Sequence, residues 1–156
     1  MTYRVGMGVD AHAFAEGVPL VLGGVEFDAA RGLAGHSDGD VITHALIDAL
    51  LGAAGLGDIG SLFPSDGSTP QGISSLDLLR DALEQVRAAG FGVVNADCIL
   101  VGEEPRIAPR RAELERTLTD LIGAPVSVRA TTTDKLGFTG RGEGLAAEAV
   151  ALLRQS

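Results

Sequence analysis

Apolar residues in this chain recur at two periods. From about Asp38 to Ala54, the residues Val41, Ile42, Ala45, Leu46, Ala49, Leu50 and Ala53 follow the 3.6-residue repeat of an amphipathic helix, which Gly55 ends. The same repeat puts Leu76, Leu79, Leu83 and Val86 on one face of a helix over about Ser75–Ala89, with Gly90 as its stop. Pro109 suits the first turn of a third helix, where its missing N–H costs nothing, and that helix runs to about Ile122 before Gly123. Short apolar runs bounded by turn residues predict strands at Tyr3–Val9, Val93–Val101 and Val126–Thr133. Leu20–Leu22 and Val25–Phe27 flank Gly23-Gly24 as a hairpin. Arg31–Gly35 reads as loop, Gly137–Gly144 as a glycine-rich loop and Leu145–Leu153 as a final helix. Leu56–Ile73 is irregular for 18 residues, a length that in compact domains belongs to lids and binding loops. The order β-β-β-α-α-β-α-β-α, without repeat or linker, predicts one α/β domain over residues 1–156, with residues 93–133 forming a strand–helix–strand crossover.

Composition narrows what this domain does. Hydrophobic residues make up 46% of the chain and glycines number 22, so small residues favour tight helix–sheet packing and leave apolar surface to bury between subunits. The net charge is −9 and Lys135 is the only lysine, which excludes nucleic-acid binding through bulk electrostatics. An anionic ligand needs local help instead: a metal ion, backbone N–H groups or a few placed arginines. Cys98 is alone, so there is no disulfide framework. The N-terminal residues lack a signal-peptide core and no run approaches 18 apolar residues, so a soluble, cytoplasmic protein with no membrane partner is expected.

The candidate chemistry begins with histidine. His12, His36 and His44 are the only three, and none follows residue 44. Asp10-x-His12 closes a strand, where residues two apart share a face and reach one ion. Alone, such a pair is more often an unrelated surface Asp and His. His44 lies on a helix with Asp40 and Asp48 four residues to either side, a pattern that fits a metal ligand with supporting carboxylates better than a solvated polar stripe. Asp10, His12 and His44 are therefore candidate zinc ligands with an open fourth position. Ser37-Asp38-Gly39-Asp40 has the form of a capping box, which makes Ser37 a helix cap and the free N–H groups beside His36 a seat for phosphate. Thr131-Thr132-Thr133-Asp134 at a strand end offers hydroxyls and a carboxylate to a diphosphate and Mg²⁺, or is an edge strand with a turn Asp.

The segments GVDAHAF, LGGV, GHSDGDVITHALIDALLGAAGLGDIGSLFP and RATTTDKLGFTGRGEGLAAEAVALL, in this order, resemble the 2-C-methyl-D-erythritol 2,4-cyclodiphosphate synthase family over about Tyr3–Leu153. The resemblance implies an α+β, sandwich-like domain with a mixed sheet covered by helices, assembled as a homotrimer with active sites between subunits. It implies intramolecular attack of a 2-phosphate on the β-phosphorus of a CDP-linked methylerythritol, with loss of CMP. Asp10, His12 and His44 become zinc ligands, while His36 and Thr132 stabilise the transition state and Ser37 joins His36 at the 2-phosphate. Asp58, Ile59 and Gly60 hold the methylerythritol, together with Phe63, Pro64, Ser65, Asp66 and Gly67. Gly102, Glu103, Glu104, Pro105, Arg106, Ile107 and Ala108 contact cytidine and diphosphate from another subunit, with Thr131, Thr133 and Asp134. Phe138 and Arg141 complete the set, and Asp134 holds Mg²⁺ or Mn²⁺.

Two positions and one segment depart from the family pattern. Asp134 stands where the family often carries Glu, and Ser65 where an Asp commonly follows Phe-Pro. The 102–106 segment is more acidic than a nucleotide neighbour should be, so its backbone is expected to read the base. Two other readings use the same residues. A zinc phosphoester hydrolase would activate water at the open position. A non-catalytic trimer would bind prenyl diphosphates in a central cavity, with Arg141 and Glu143 at its mouth.

Overall fold

The computed structural model describes residues 2–156. Its elements are β1 (Tyr3–Glu16), β2 (Leu20–Leu22), β3 (Val25–Phe27), β4 (Arg31–Leu33), α1 (Val41–Ala54), α2 (Ile59–Leu62), α3 (Ser75–Ala88) and β5 (Phe91–Val101). A 3₁₀ turn at Ala108–Arg110 leads into α4 (Arg111–Ile122), and β6 (Val126–Thr131), α5 (Gly137–Gly140) and β7 (Gly144–Gln155) follow. One five-stranded sheet has the order β4-β1-β7-β5-β6, while β2 and β3 form a separate hairpin. Within the large sheet β5 and β6 are parallel, as the crossover requires, and the remaining neighbours are antiparallel. The fold is thus α+β with a mixed sheet.

One face of the sheet carries the core, built by α1, α3 and α4 against strand side chains. Small residues set the spacing there. A Cβ added at Gly6 or Gly8 of β1 would overlap the backbone carbonyls of Ala49 and Ala45 in α1. Two strand glycines thus let a helix lie directly on the strand backbone. The opposite face bears an apolar band along β1, where Val5 is 70% exposed, Met7 63%, and Tyr3 and Val9 also face outward with Val150 of β7, while Glu148 and the Asp97–Arg129 ion pair are polar points on the same face.

Several sequence expectations are corrected. The segment predicted as a final helix, Leu145–Leu153, lies within β7, the strand between β1 and β5. Its Leu145, Ala147, Ala149, Ala151 and Leu153 are buried at every second position. Ala and Leu favour helix only until a sheet offers better burial on both sides. Strand β1 runs seven residues past its predicted end at Val9, and Arg31–Leu33 pairs with it as β4 rather than looping. α1 begins at Val41 with Asp40 as its N-cap, so Ser37 caps nothing there. Asp40 is fully buried and accepts from the N–H groups of Gly23, Gly24 and Thr43 and from the Thr43 hydroxyl. Short helices α2 and α5 interrupt the segments expected to be irregular. Among the described residues, no helix is long and apolar enough to cross a membrane.

Candidate active site

Strand alternation places Gly6, Gly8, Asp10 and His12 in one row facing α1. Because the glycines bring the helix close, His44 on α1 meets the two side chains that continue the row. The Asp10 carboxylate oxygen Oδ2 lies 2.8 Å from His12 Nε2 and 3.1 Å from His44 Nδ1, and the two nitrogens are 3.2 Å apart. His12 Nδ1 donates to the Ala34 carbonyl at 2.6 Å, which leaves Nε2 as the free lone pair. On the far side of its ring, His44 Nε2 lies 2.9 Å from Ser37 Oγ and 2.8 Å from Ser75 Oγ. Burial disfavours the Asp10 carboxylate, but where protons rather than a metal ion bridge it to His12 and His44, those hydrogen bonds outweigh burial and hold its pKa down to about 2. The hydrogen bond to Asp10 in turn raises the His12 pKa above its ordinary value, against burial.

Three donor atoms pointing at one spot fit a divalent metal. Tetrahedral zinc holds N and O ligands at about 2.0–2.1 Å, which puts neighbouring ligand atoms about 3.3 Å apart. The three atoms here, 2.8–3.2 Å apart, need to spread by only a few tenths of an ångström. Asp40 and Asp48 do not support His44 as the helical spacing had implied. Asp40 is occupied as a cap, and Asp48 accepts from Ile59 N at 2.7 Å, tying α2 to α1.

The triad opens into a cleft of about 200 Å³ lined also by His36, Ser37, Ile59, Gly60, Phe63, Ser65, Thr69, Ile73 and Leu78. His36 Nε2 donates to the Thr69 carbonyl at 2.7 Å, so its Nδ1 is the atom left for a ligand. Asp58, Pro64, Asp66 and Gly67, expected here, do not line the cleft. Asp58 instead forms the capping box of α2 with Ser61, which lowers its pKa, and Asp66 accepts from the Ser68 amide and hydroxyl. Thr69, Ser75 and Asp38 were missed by sequence reasoning. Serine, threonine and aspartate in loops or at a helix start carry no spacing signal, and only the fold brings these three together.

The second group of expected residues gathers elsewhere, at the carboxyl ends of the parallel strands β5 and β6. Gly102 N donates to the Thr131 carbonyl at 3.1 Å, so the segments after the two strands start side by side. Such strand ends are where open α/β sheets place ligands. Asp134 and Lys135 both have positive φ, 52° and 68°, a conformation that costs non-glycine residues about 1 kcal/mol or more each and that recurs at functional loops. Thr131, Thr132 and Asp134 are open to solvent on this turn or beside it. Thr133 donates to the Leu136 carbonyl at 2.6 Å, so its hydroxyl already has a partner. Ile107 is buried in the core, whereas Glu104, Pro105 and Arg106 line a separate cleft of about 360 Å³ beside Phe14 and Arg31. Phe138 is half-exposed, and Arg141 and Glu143 form an exposed ion pair. None of these residues lines the triad cleft of the same chain. Cys98 is no nucleophile, since burial pushes its thiol up to about 12.

The YgbB family model matches residues 3–154. The chain is 58% identical over 154 residues to the 2-C-methyl-D-erythritol 2,4-cyclodiphosphate synthase of Syntrophobacter fumaroxidans, covering 97% of each chain. It is 53% identical to that of Aromatoleum aromaticum, covering 97% of this chain and 93% of the relative. Its fold is similar to a 2C-methyl-D-erythritol-2,4-cyclodiphosphate synthase solved in a CDP-bound form, with TM-score 0.87, 38% identity, and 97% and 100% of the two chains covered. It is also similar to the bifunctional IspDF of Campylobacter jejuni, with TM-score 0.95 and 39% identity, where it covers 99% of this chain and 43% of that one.

Proposed function

The chain belongs to the YgbB family, and from that premise we propose that it is a lyase converting 4-diphosphocytidyl-2-C-methyl-D-erythritol 2-phosphate into 2-C-methyl-D-erythritol 2,4-cyclodiphosphate and CMP, in the non-mevalonate route to isoprenoids. An oxygen of the 2-phosphate forms a bond to the β-phosphorus. The bond from that phosphorus to the bridging oxygen breaks, and CMP leaves with the electron pair. Both partners are anions, so the barrier is set by charge and alignment rather than by proton abstraction.

The observation that carries this reading is the convergence of Asp10, His12 and His44 on one point at the edge of a cleft. A divalent metal there, which we take to be zinc, would supply positive charge to phosphate oxygens. His36 would meet the 2-phosphate through Nδ1. Nε2–H is committed to the Thr69 carbonyl, so Nδ1 is the ring atom that turns to the phosphate. Ser37 accepts from His44 and from Gly39 N, which leaves its own proton to donate to the same phosphate. Ile59, Gly60 and Phe63 would hold the methylerythritol.

Thr132 and Asp134 would act on the diphosphate, with Asp134 binding Mg²⁺ or Mn²⁺ and the 102–108 backbone reading cytidine. These groups belong to a different region from the triad cleft, so a neighbouring subunit would complete each site. The apolar outer face of the sheet supports a homotrimer packed through β1 and β7, since bare surface of this kind marks an interface.

Purified protein loaded with zinc and Mg²⁺ should convert the substrate to CMP and a cyclic diphosphate, both followed by ³¹P NMR. Release of inorganic phosphate or a linear product would identify a hydrolase instead. A metal-loaded preparation that leaves the substrate untouched would overturn the reading.

A further inference from the structure

His44 is held from behind by groups that no ligand role accounts for. Ser75, the first residue of α3, is fully buried, and its Oγ lies 2.8 Å from His44 Nε2. That hydroxyl in turn donates to Asp38 Oδ1, while Asp38 Oδ2 accepts from Ser75 N at 3.0 Å. Asp38 therefore grips both polar groups of one residue. It also supplies α3 with the cap that Ser74, at the N-cap position, does not provide. Backbone bonds from Asp38 N to Ile73 O and from Gly72 N to His36 O clamp the two loops in register.

We infer that Asp38 and Ser75 are positioning residues that fix the tautomer and ring orientation of His44 for metal binding, an inference that rests on His44 being a ligand. The polarity of the chain decides the assignment. A carboxylate only accepts, so the Ser75 proton is committed to Asp38. The Ser75 oxygen then faces His44 with lone pairs, so the Nε2 atom must carry hydrogen and Nδ1 must present its lone pair toward Asp10 and His12. Carboxylate, hydroxyl and imidazole form one directed line ending at the metal position, and the carboxylate at its far end makes the ligand more basic. The line also joins α3 to α1, so the docking of α3 and the aim of His44 are set by the same two side chains.

The test uses the full chain, metal-free and titrated with zinc ion alone. In metal-free protein, ¹⁵N NMR of the His44 ring should show the Nε2–H tautomer. Zinc affinity, read by competition with a fluorescent chelator, should fall about tenfold in Ser75→Ala, at the lower end of the effect of removing such partners because Ser37 remains beside Nε2. Ser75→Thr, which keeps the hydroxyl, should stay within about threefold of the parent. An Nδ1–H tautomer in the parent, or a folded Ser75→Ala with parental zinc affinity, would overturn the inference. If the parent takes up no zinc, the metal reading fails, and the tautomer still decides the relay.

Discussion

At the scale of single residues, two substitutions separate binding from catalysis. His44→Ala removes one of three donors, and its helix position accepts alanine without loss of propensity. We expect the protein to stay folded, zinc content to drop well below one per chain and turnover to be lost, with atomic absorption and the ³¹P assay as readouts. Full zinc stoichiometry would refute the ligand assignment. Thr132→Ala should retain zinc and slow the reaction about 10²-fold, the scale of losing one donor to a transition-state oxygen. The residue scale is also where the sequence was most legible. Asp10, His12 and His44 were readable because a strand and a helix each have a fixed period, and the structure brings all three together. Asp38 and Ser75 were not, because their relation is made by two loops whose path no periodicity encodes.

At the scale of elements, the pairing of β1 with α1 governs the site. Gly8→Ala would drive a methyl group into the Ala45 backbone carbonyl, which cannot rotate away. Overpacking of this kind costs about 3 kcal/mol, at the upper end of its usual range because the obstacle is main chain. Urea unfolding should show that loss together with weaker zinc binding, since helix and strand carry opposite halves of the triad. A variant with unchanged stability and affinity would mean that the close approach is not needed. The helices α1, α3 and α4 were legible from their apolar stripes, but β7 was not. Its inward residues Leu145, Ala147, Ala149 and Ala151 alternate with outward Ala146, Glu148, Val150 and Leu152, of which only Glu148 is polar. With a single charge on an otherwise apolar outward row the two-residue period is too faint to read, and a run rich in Ala and Leu imitates a buried helix.

That second apolar face belongs to the scale of the whole molecule. Met7→Glu puts a charge in the middle of the outward surface of β1 while leaving every inward contact alone. In a trimer it would place three carboxylates on buried ground, which is strongly unfavourable. Light scattering should report monomers in place of trimers, metal content should hold at one per chain, and turnover should collapse because each site lacks its neighbour's Thr132 and Asp134. A monodisperse, active trimer in this variant would place the interface elsewhere. Strand β1 serves both tasks at once: its odd residues Tyr3, Val5, Met7 and Val9 point outward, and its even residues Gly6, Gly8, Asp10 and His12 point to α1. The strand therefore has a reading frame of two. Inserting or deleting one residue ahead of Asp10 would put either the ligands or the glycine row on the wrong side of the sheet, whereas a change of two would preserve both. Natural variation in the length of this strand should accordingly come in even steps, a constraint imposed by the pleat and not by the chemistry.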